Sequence, residues 1–143
     1  MTRLVGTLLG LDYGRRRIGV AVGQTVTGTA SALEVVPQRA GVPDWARLEA
    51  LRAQWRPRAW VLGWPVPADG EETPLLQAVA RFAAELERRS GLPVERIDER
   101  LSSHAARELS AGQRRGGPGI DAVAAQLILE SWFRDARQPA SAS

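Results

Sequence analysis

Short apolar runs dominate the first third of the chain, and their lengths predict strands. Residues 4–12, 18–23 and 30–36 form three such runs, each too short for a typical helix and bounded by turn residues. The first two runs are separated by a connection of hairpin length. Three strands this close together in the sequence favour an antiparallel meander.

Helical spacing begins after these strands. Asp44 is the expected N-cap of a first helix, and Pro57 is expected to stop it. Its apolar positions are Trp45, Leu48, Leu51 and Trp55. A second helix is marked at both ends, because Thr73 can cap it, Pro74 fits its first position and Gly91 lies just past its end.

The apolar run 59–63 predicts another buried strand, residues 94–98 predict a fifth strand, and residues 120–137 predict a last helix. Ser102 or Ser103 is expected to cap a short helix before it. The element order β-β-β-α-β-α-β-α-α predicts an α/β fold. Its sheet is expected to be mixed and five-stranded, with three antiparallel strands, then parallel strands, and helices on its faces.

The length and composition of the chain are typical of a folded domain. The chain has 143 residues, 44% hydrophobic and 24% charged, which excludes disorder as its main state. We expect residues 1–138 to form one domain and residues 139–143 a disordered tail. The first apolar stretch is too short to span a membrane and has no cleavage pattern, so we expect a cytoplasmic protein without a membrane partner.

The residue types that are missing limit the chemistry. The chain has no cysteine, and His104 is its one histidine, so thiolate sites, disulfides and multi-histidine metal sites are excluded. All 19 basic residues are arginines. Without lysine there is no Walker loop and no Schiff base. Arginine binds phosphate through two hydrogen bonds and therefore suits a nucleic-acid partner, although a GC-rich genome also favours arginine over lysine.

Three acidic residues lie at the ends of predicted elements. Asp12 closes the first strand, Glu99 follows the 94–98 strand, and Asp121 lies in the first turn of the last helix. If the first strand and the 59–63 strand are neighbours, these carboxylates can meet at one rim of the sheet. Carboxylates alone favour Mg²⁺ or Mn²⁺, and two such ions support phosphodiester hydrolysis. Each residue also has a structural interpretation, as a turn former or a helix cap.

Five segments together resemble one known family. They are LGLDYGRRRIGVAV (9–22), GTASALEVV (28–36), VLGWPVPADGEE (61–72), LPVERIDERLSSHAA (92–106) and IDAVAAQLILESWF (120–133). In this order they resemble the YqgF/RuvX family of pre-16S rRNA nucleases and Holliday-junction-resolvase-like proteins, over nearly the whole chain. The resemblance implies an RNase H-like fold and a metal-dependent nuclease, similar to the enzyme that processes the 5′ end of pre-16S rRNA.

The resemblance also implies a site. It assigns the catalytic and metal-binding roles to Asp12, Glu99 and Asp121, with Mg²⁺ or Mn²⁺ as cofactor. Asp98 is the alternative to Glu99, because a shift of one residue exchanges the side chain that faces the site. The chain departs from the family at Gly23-Gln24, where an acidic accessory residue is common, and at Trp64, where leucine is usual.

Six arginines are the expected substrate contacts: Arg15, Arg16, Arg17, Arg100, Arg114 and Arg115. The last two lie in the predicted loop 112–119, which is usually rich in lysine in the family. Trp64 is a candidate for stacking on a base, with packing as the alternative. His104 is a candidate for an assisting role near the site, with a surface position as the alternative.

Three functions remain open at this point. The first is a nuclease acting on pre-16S rRNA or on single-stranded or branched nucleic acid, with ribosomal precursor particles as a candidate partner. Alternatives are a DNA nuclease of the Holliday-junction type, which would require a homodimer with two sites, and a nucleic-acid-binding module with a weak catalytic site. An actin-like ATP-binding protein would need two such domains, and the chain is too short for them.

Overall fold

The computed structural model describes residues 5–66, 71–99 and 119–137. Within these ranges the strands are β1 (Thr7–Tyr13), β2 (Arg17–Gln24), β3 (Thr29–Arg39), β4 (Val42–Pro43), β5 (Ala59–Trp64) and β6 (Val94–Asp98). The helices are α1 (Trp45–Trp55), α2 (Pro74–Ser90) and α3 (Ile120–Arg137). The helix predicted behind Ser102 or Ser103, residues 112–118 of the predicted loop, and the predicted tail 139–143 lie outside the described residues.

The strands form one mixed sheet in the order β4-β3-β2-β1-β5-β6. The β1–β2, β2–β3 and β3–β4 pairs are antiparallel, and β5 and β6 continue the sheet parallel to β1. The predicted α/β class and mixed sheet are therefore confirmed. The predicted count of five strands is one too low, because β4 has only two residues and leaves no pattern in the sequence.

Strand β3 runs through Pro37, which the sequence suggested as its end. Pro37 is paired with Arg17, the first residue of β2, so β3 continues beyond it past the start of its neighbour. A proline is tolerated at such a position because the lost N–H group weakens little of the ladder. The two residues beyond Pro37 pair with β4 instead.

The two faces of the sheet are covered by different helices. One face packs on α1 and α2 through a cluster that includes Leu11, Leu62 and Phe82. The other face packs on α3 through a cluster that includes Val61 and Leu129. Successive residues of a strand point to opposite faces of the sheet. A strand that is buried on both faces therefore has an unbroken apolar sequence.

Glycines allow α3 to lie very close to the sheet. A Cβ atom built on Gly10 would lie 2.5 Å from Leu129 Cγ, and one built on Gly63 would lie 2.5 Å from Ile128 Cδ1. The closest approach is at Gly19, where a Cβ would lie 1.8 Å from the backbone oxygen of Asp121. Any side chain at Gly19 would therefore push the first turn of α3 away from β2.

The helix ends follow local chemistry. Asp44 Oδ1 accepts a hydrogen bond from the Arg47 N–H at 3.1 Å, and Thr73 caps α2 in the same way. Gly91 ends α2 with a φ of 72°. Helix α1 ends at Trp55, two residues before Pro57, and its C-cap residue Arg56 takes the left-handed conformation that glycine usually takes at this position. In the part of the chain described here, no helix is long and apolar enough to cross a membrane.

Candidate active site

Asp12 lies near the carboxyl end of β1, at the centre of the sheet. It is paired with Gly19 of β2, and it lies two residues after Gly10, whose Cα faces α3. The alternation along the strand therefore directs Asp12 to the face that α3 covers. Asp121, in the first turn of α3, lies on the same face because its backbone is in contact with Gly19.

Glu99 joins this face from β6. Ile97, two residues earlier, packs in the cluster that contains α3. A Cβ on Gly63 would lie 3.3 Å from the Glu99 Cβ and would also touch Ile128 of α3. The Glu99 N–H donates a hydrogen bond to the Trp64 carbonyl at 3.1 Å, which holds this turn to the end of β5. Glu99 therefore shares the face of Asp12, whereas strand alternation directs Asp98 to the opposite face.

The charges of the three residues act on one another. Burial, and then the negative charges of Glu99 and Asp121, raise the pKa of Asp12 from 3.8 to about 7. Burial and the charge of Asp98 also raise the pKa of Glu99 above its ordinary value. A strongly raised pKa in a group of like charges is typical of functional sites.

Asp121 has a cationic partner. Arg17 Nε lies 2.9 Å from Asp121 Oδ2. Arg17 begins β2 and lies two residues before Gly19, so both residues face the first turn of α3. The N-terminal end of a helix also favours a negative charge, which adds to the stability of the Asp121 carboxylate in this position.

The donor set suits a hard divalent cation, since it consists of carboxylate oxygens whose mutual repulsion a cation would relieve. Across residues 5–66, 71–99 and 119–137, however, no three acidic or histidine side chains stand in a geometry that would hold a metal ion. Asp12 is near enough to Glu99 and Asp121 to feel their charges. In this structure, however, the carboxylate of Asp121 pairs with Arg17.

The predicted substrate contacts are only partly described. Arg15 and Arg16 are exposed in the turn between β1 and β2. That turn is closed by a 3.0 Å hydrogen bond from the Gly14 N–H to the Arg17 carbonyl. Arg17 is paired with Asp121 as described above. The other three predicted arginines lie outside the described residues, as does His104; they are Arg100, Arg114 and Arg115.

Two roles are predicted for Trp64 from the sequence, stacking on a base and packing in the core. Its ring is half-buried and packs on the cluster beneath α1 and α2. The guanidinium carbon of Arg96 lies 4.0 Å from the ring centroid. This contact joins the neighbouring strands β5 and β6, and the sequence gives no signal for it because the two residues are distant along the chain.

The architecture defines the class of protein. The mixed sheet, with α3 on one face and α1 and α2 on the other, is an RNase H-like fold. It is similar to a solved structure of Thermus thermophilus RuvC in complex with a Holliday junction substrate, with a TM-score of 0.57 and 20% identity over 92% of this chain and 95% of that chain. A second structure of Thermus thermophilus RuvC matches with a TM-score of 0.55 and 16% identity.

The chain belongs to the RuvX family. The family model, described as a Holliday junction resolvase, matches residues 6–135. A relative from Azotobacter vinelandii is 48% identical over 132 residues, which cover 90% of this chain and 93% of the relative. A relative from Pseudomonas aeruginosa is 47% identical, with shares of 90% and 92%. Both carry the name "Putative pre-16S rRNA nuclease". The family predicted from the motifs is confirmed, and it is a family of nucleases.

Proposed function

We propose that this protein is a divalent-metal-dependent nuclease that hydrolyses phosphodiester bonds at the 5′ end of pre-16S rRNA. The observation that supports this most is the state of Asp12. It is partly buried at the carboxyl end of the central strand, and this burial, together with the charges of Glu99 and Asp121, raises its pKa to about 7. The substrate is proposed from the names of relatives that are 47% and 48% identical.

In this proposal Asp12, Glu99 and Asp121 would hold Mg²⁺ or Mn²⁺. When bound, the cation supplies an activated water and stabilises the leaving oxygen. The protein supplies the rest. Strand β1 holds the partly buried Asp12 at the end of the sheet, and the close approach of α3 at Gly19 fixes the position of Asp121. Asp12 must be deprotonated to act as a ligand, so cation binding should release a proton near neutral pH.

The arginines give the proposal its nucleic-acid surface. Arg15 and Arg16 are exposed in the turn that follows Asp12, where a bound strand would pass the carboxylates. Arg100, Arg114 and Arg115, which lie outside the described residues, are proposed as further phosphate contacts. Ribosomal precursor particles in the cytoplasm are the proposed context, because the proposed substrate is an rRNA precursor.

A second candidate function is cleavage of four-way DNA junctions by a homodimer with two sites. The description of the family model as a Holliday junction resolvase favours it. The two candidates use the same carboxylates and differ in substrate and in oligomeric state, so one experiment can separate them.

The test compares three substrates of matched length: a 5′ fragment of pre-16S rRNA, an unstructured RNA and a four-way DNA junction. Each is incubated with the full chain and Mg²⁺, Mn²⁺ or chelator. We expect cation-dependent cleavage of the rRNA fragment, faster than that of the other two. Asp12→Asn should abolish it while binding remains. Glu87→Gln, an exposed change on α2, is the control that should keep full activity.

The outcomes are distinct. Faster cleavage of the junction would support the second candidate in place of the first. Cleavage of no substrate would overturn both. More than about a tenth of the parent rate in Asp12→Asn would overturn the site assignment, because loss of a metal ligand should cost several kcal/mol of transition-state stabilisation.

A further inference from the structure

The contact between Arg17 and Asp121 carries an inference that builds on the proposed function. Arg17 was expected among the phosphate-binding arginines, yet in this structure its Nε lies 2.9 Å from Asp121 Oδ2. The Arg17 side chain is 60% exposed and that of Asp121 is 25% exposed. The guanidinium therefore reaches from the solvent side onto a partly exposed member of the proposed ligand set.

The position of Arg17 makes this contact a feature of the fold. Arg17 and Gly19 lie two residues apart in β2, and both face the first turn of α3. Because the Gly19 backbone touches that turn, Asp121 is held within reach of Arg17. An ion pair this exposed contributes little free energy, so it can be exchanged for another partner.

Arginine binds carboxylate and phosphate with the same planar set of donors. We propose that Arg17 is an exchangeable partner. It pairs with Asp121 in the free protein, and it transfers to a phosphate of the nucleic acid when a divalent cation occupies Asp121. Cation binding and nucleic-acid binding then strengthen each other, since each removes the competitor of the other, and this coupling acts equally in both directions.

The first test measures Mn²⁺ binding by calorimetry with the full chain and no nucleic acid. Arg17→Ala should bind Mn²⁺ about two- to fivefold more tightly than the parent, because the cation no longer displaces a guanidinium. Arg15→Ala is the matched control: it removes the same charge from the same arginine run and should change the affinity less than twofold. Arg17→Lys, which keeps the charge, should lie between the parent and Arg17→Ala. A circular-dichroism melt confirms that each variant is folded.

The second test measures the salt dependence of binding to a single-stranded RNA oligonucleotide, in chelator and in a fixed concentration of Ca²⁺. In Ca²⁺ the slope of log K against log salt should be smaller for Arg17→Ala than for the parent by about 0.7, the value of one lost phosphate contact on a single strand. In chelator the two slopes should agree. Equal differences in both conditions would mean that Arg17 always contacts phosphate, and no difference in either would mean that it never does; each result overturns the exchange.

Failure of this inference and failure of the proposed function give different results. If Mn²⁺ binds the parent, Arg17→Ala and Arg15→Ala equally, the exchange is wrong and the metal site stands. If Arg17→Ala binds Mn²⁺ more weakly than the parent, Arg17 supports the site and the exchange is also wrong. If the parent binds no Mn²⁺, both the metal site and the exchange are overturned.

Discussion

Replacement of Asp12 by asparagine should stabilise the metal-free protein, and the gain should depend on pH in a defined way. The pKa of Asp12 rises from 3.8 to about 7 on folding, first because of burial and then because of Glu99 and Asp121. The folded state therefore holds this proton more tightly than the unfolded state does. As the pH rises through 4 to 7, the unfolded chain loses the proton first, and the stability of the folded protein falls.

The size of the effect follows from the two pKa values. A tenfold difference in proton affinity is worth about 1.4 kcal/mol, so a carboxylate at pH 8 costs the fold up to about 4 kcal/mol at this position. Relaxation around the charge lowers this value, and we expect a gain of about 2 to 4 kcal/mol for Asp12→Asn at pH 8. At pH 4 the parent side chain is neutral in the folded state and nearly isosteric with asparagine, so the gain should be below about 1 kcal/mol.

Urea unfolding in chelator, followed by tryptophan fluorescence at several pH values between 4 and 8.5, measures this difference. The free energy of unfolding of Asp12→Asn minus that of the parent should grow by at most about 1.4 kcal/mol per pH unit below pH 7. Above about pH 8 it should be constant. Glu87→Gln, the exposed control, should stay within about 0.5 kcal/mol of the parent throughout. If the stability difference between Asp12→Asn and the parent is the same at every pH, or if the variant is less stable than the parent at pH 8, the carboxylate of Asp12 is not destabilised by partial burial and like charges. Added Mn²⁺ should stabilise the parent much more than the variant.

Three further outcomes are expected. Glu99→Gln should lose nearly all cleavage in the rRNA assay, whereas Asp98→Asn should keep most of it; equal losses would contradict the assignment of opposite faces. Gly19→Ala should destabilise the fold by several kcal/mol in urea, because its methyl group would overlap a backbone carbonyl of α3. Gly41→Ala, where a methyl group meets nothing, should lose only about 1 kcal/mol to its positive φ. Removal of the three arginines at 15–17 should flatten the salt dependence of RNA binding by about 0.7 to 0.9 per lost phosphate contact, and an unchanged slope would mean that they point elsewhere.

The features that the sequence predicts well depend on interactions between residues that are close together along the chain. Thr73, Pro74 and Gly91 mark α2 because a cap, a proline at the first position and a left-handed residue each act within one turn. The predicted end of α1 at Pro57 is correct to within two residues, although the capping residue itself, Arg56, carries no such mark. Strands β1 and β5 were recognisable because burial on both faces produces unbroken apolar runs.

The features that the sequence does not reveal depend on contacts between distant segments. The Arg17–Asp121 pair needs the first turn of α3 to lie beside the start of β2, and no local pattern encodes that distance. The close approach at Gly19 was equally hidden, because a glycine in a strand has several possible reasons. The choice between Asp98 and Glu99 required the register of β6, which sequence alone leaves uncertain by one residue.

The order in which the chain reaches the site has a kinetic consequence. Asp12 belongs to the first strand and Asp121 to the last described helix, and α3 covers a whole face of the sheet. Pairing over such a sequence separation is slow, so we expect the sheet with α1 and α2 to form before α3 docks. Until α3 docks, the sheet face that it covers is open to solvent, so Asp12 is hydrated and Asp121 is not yet beside it. Cleavage competence would thus appear only at the final docking step, and partly folded chains would leave surrounding nucleic acid intact.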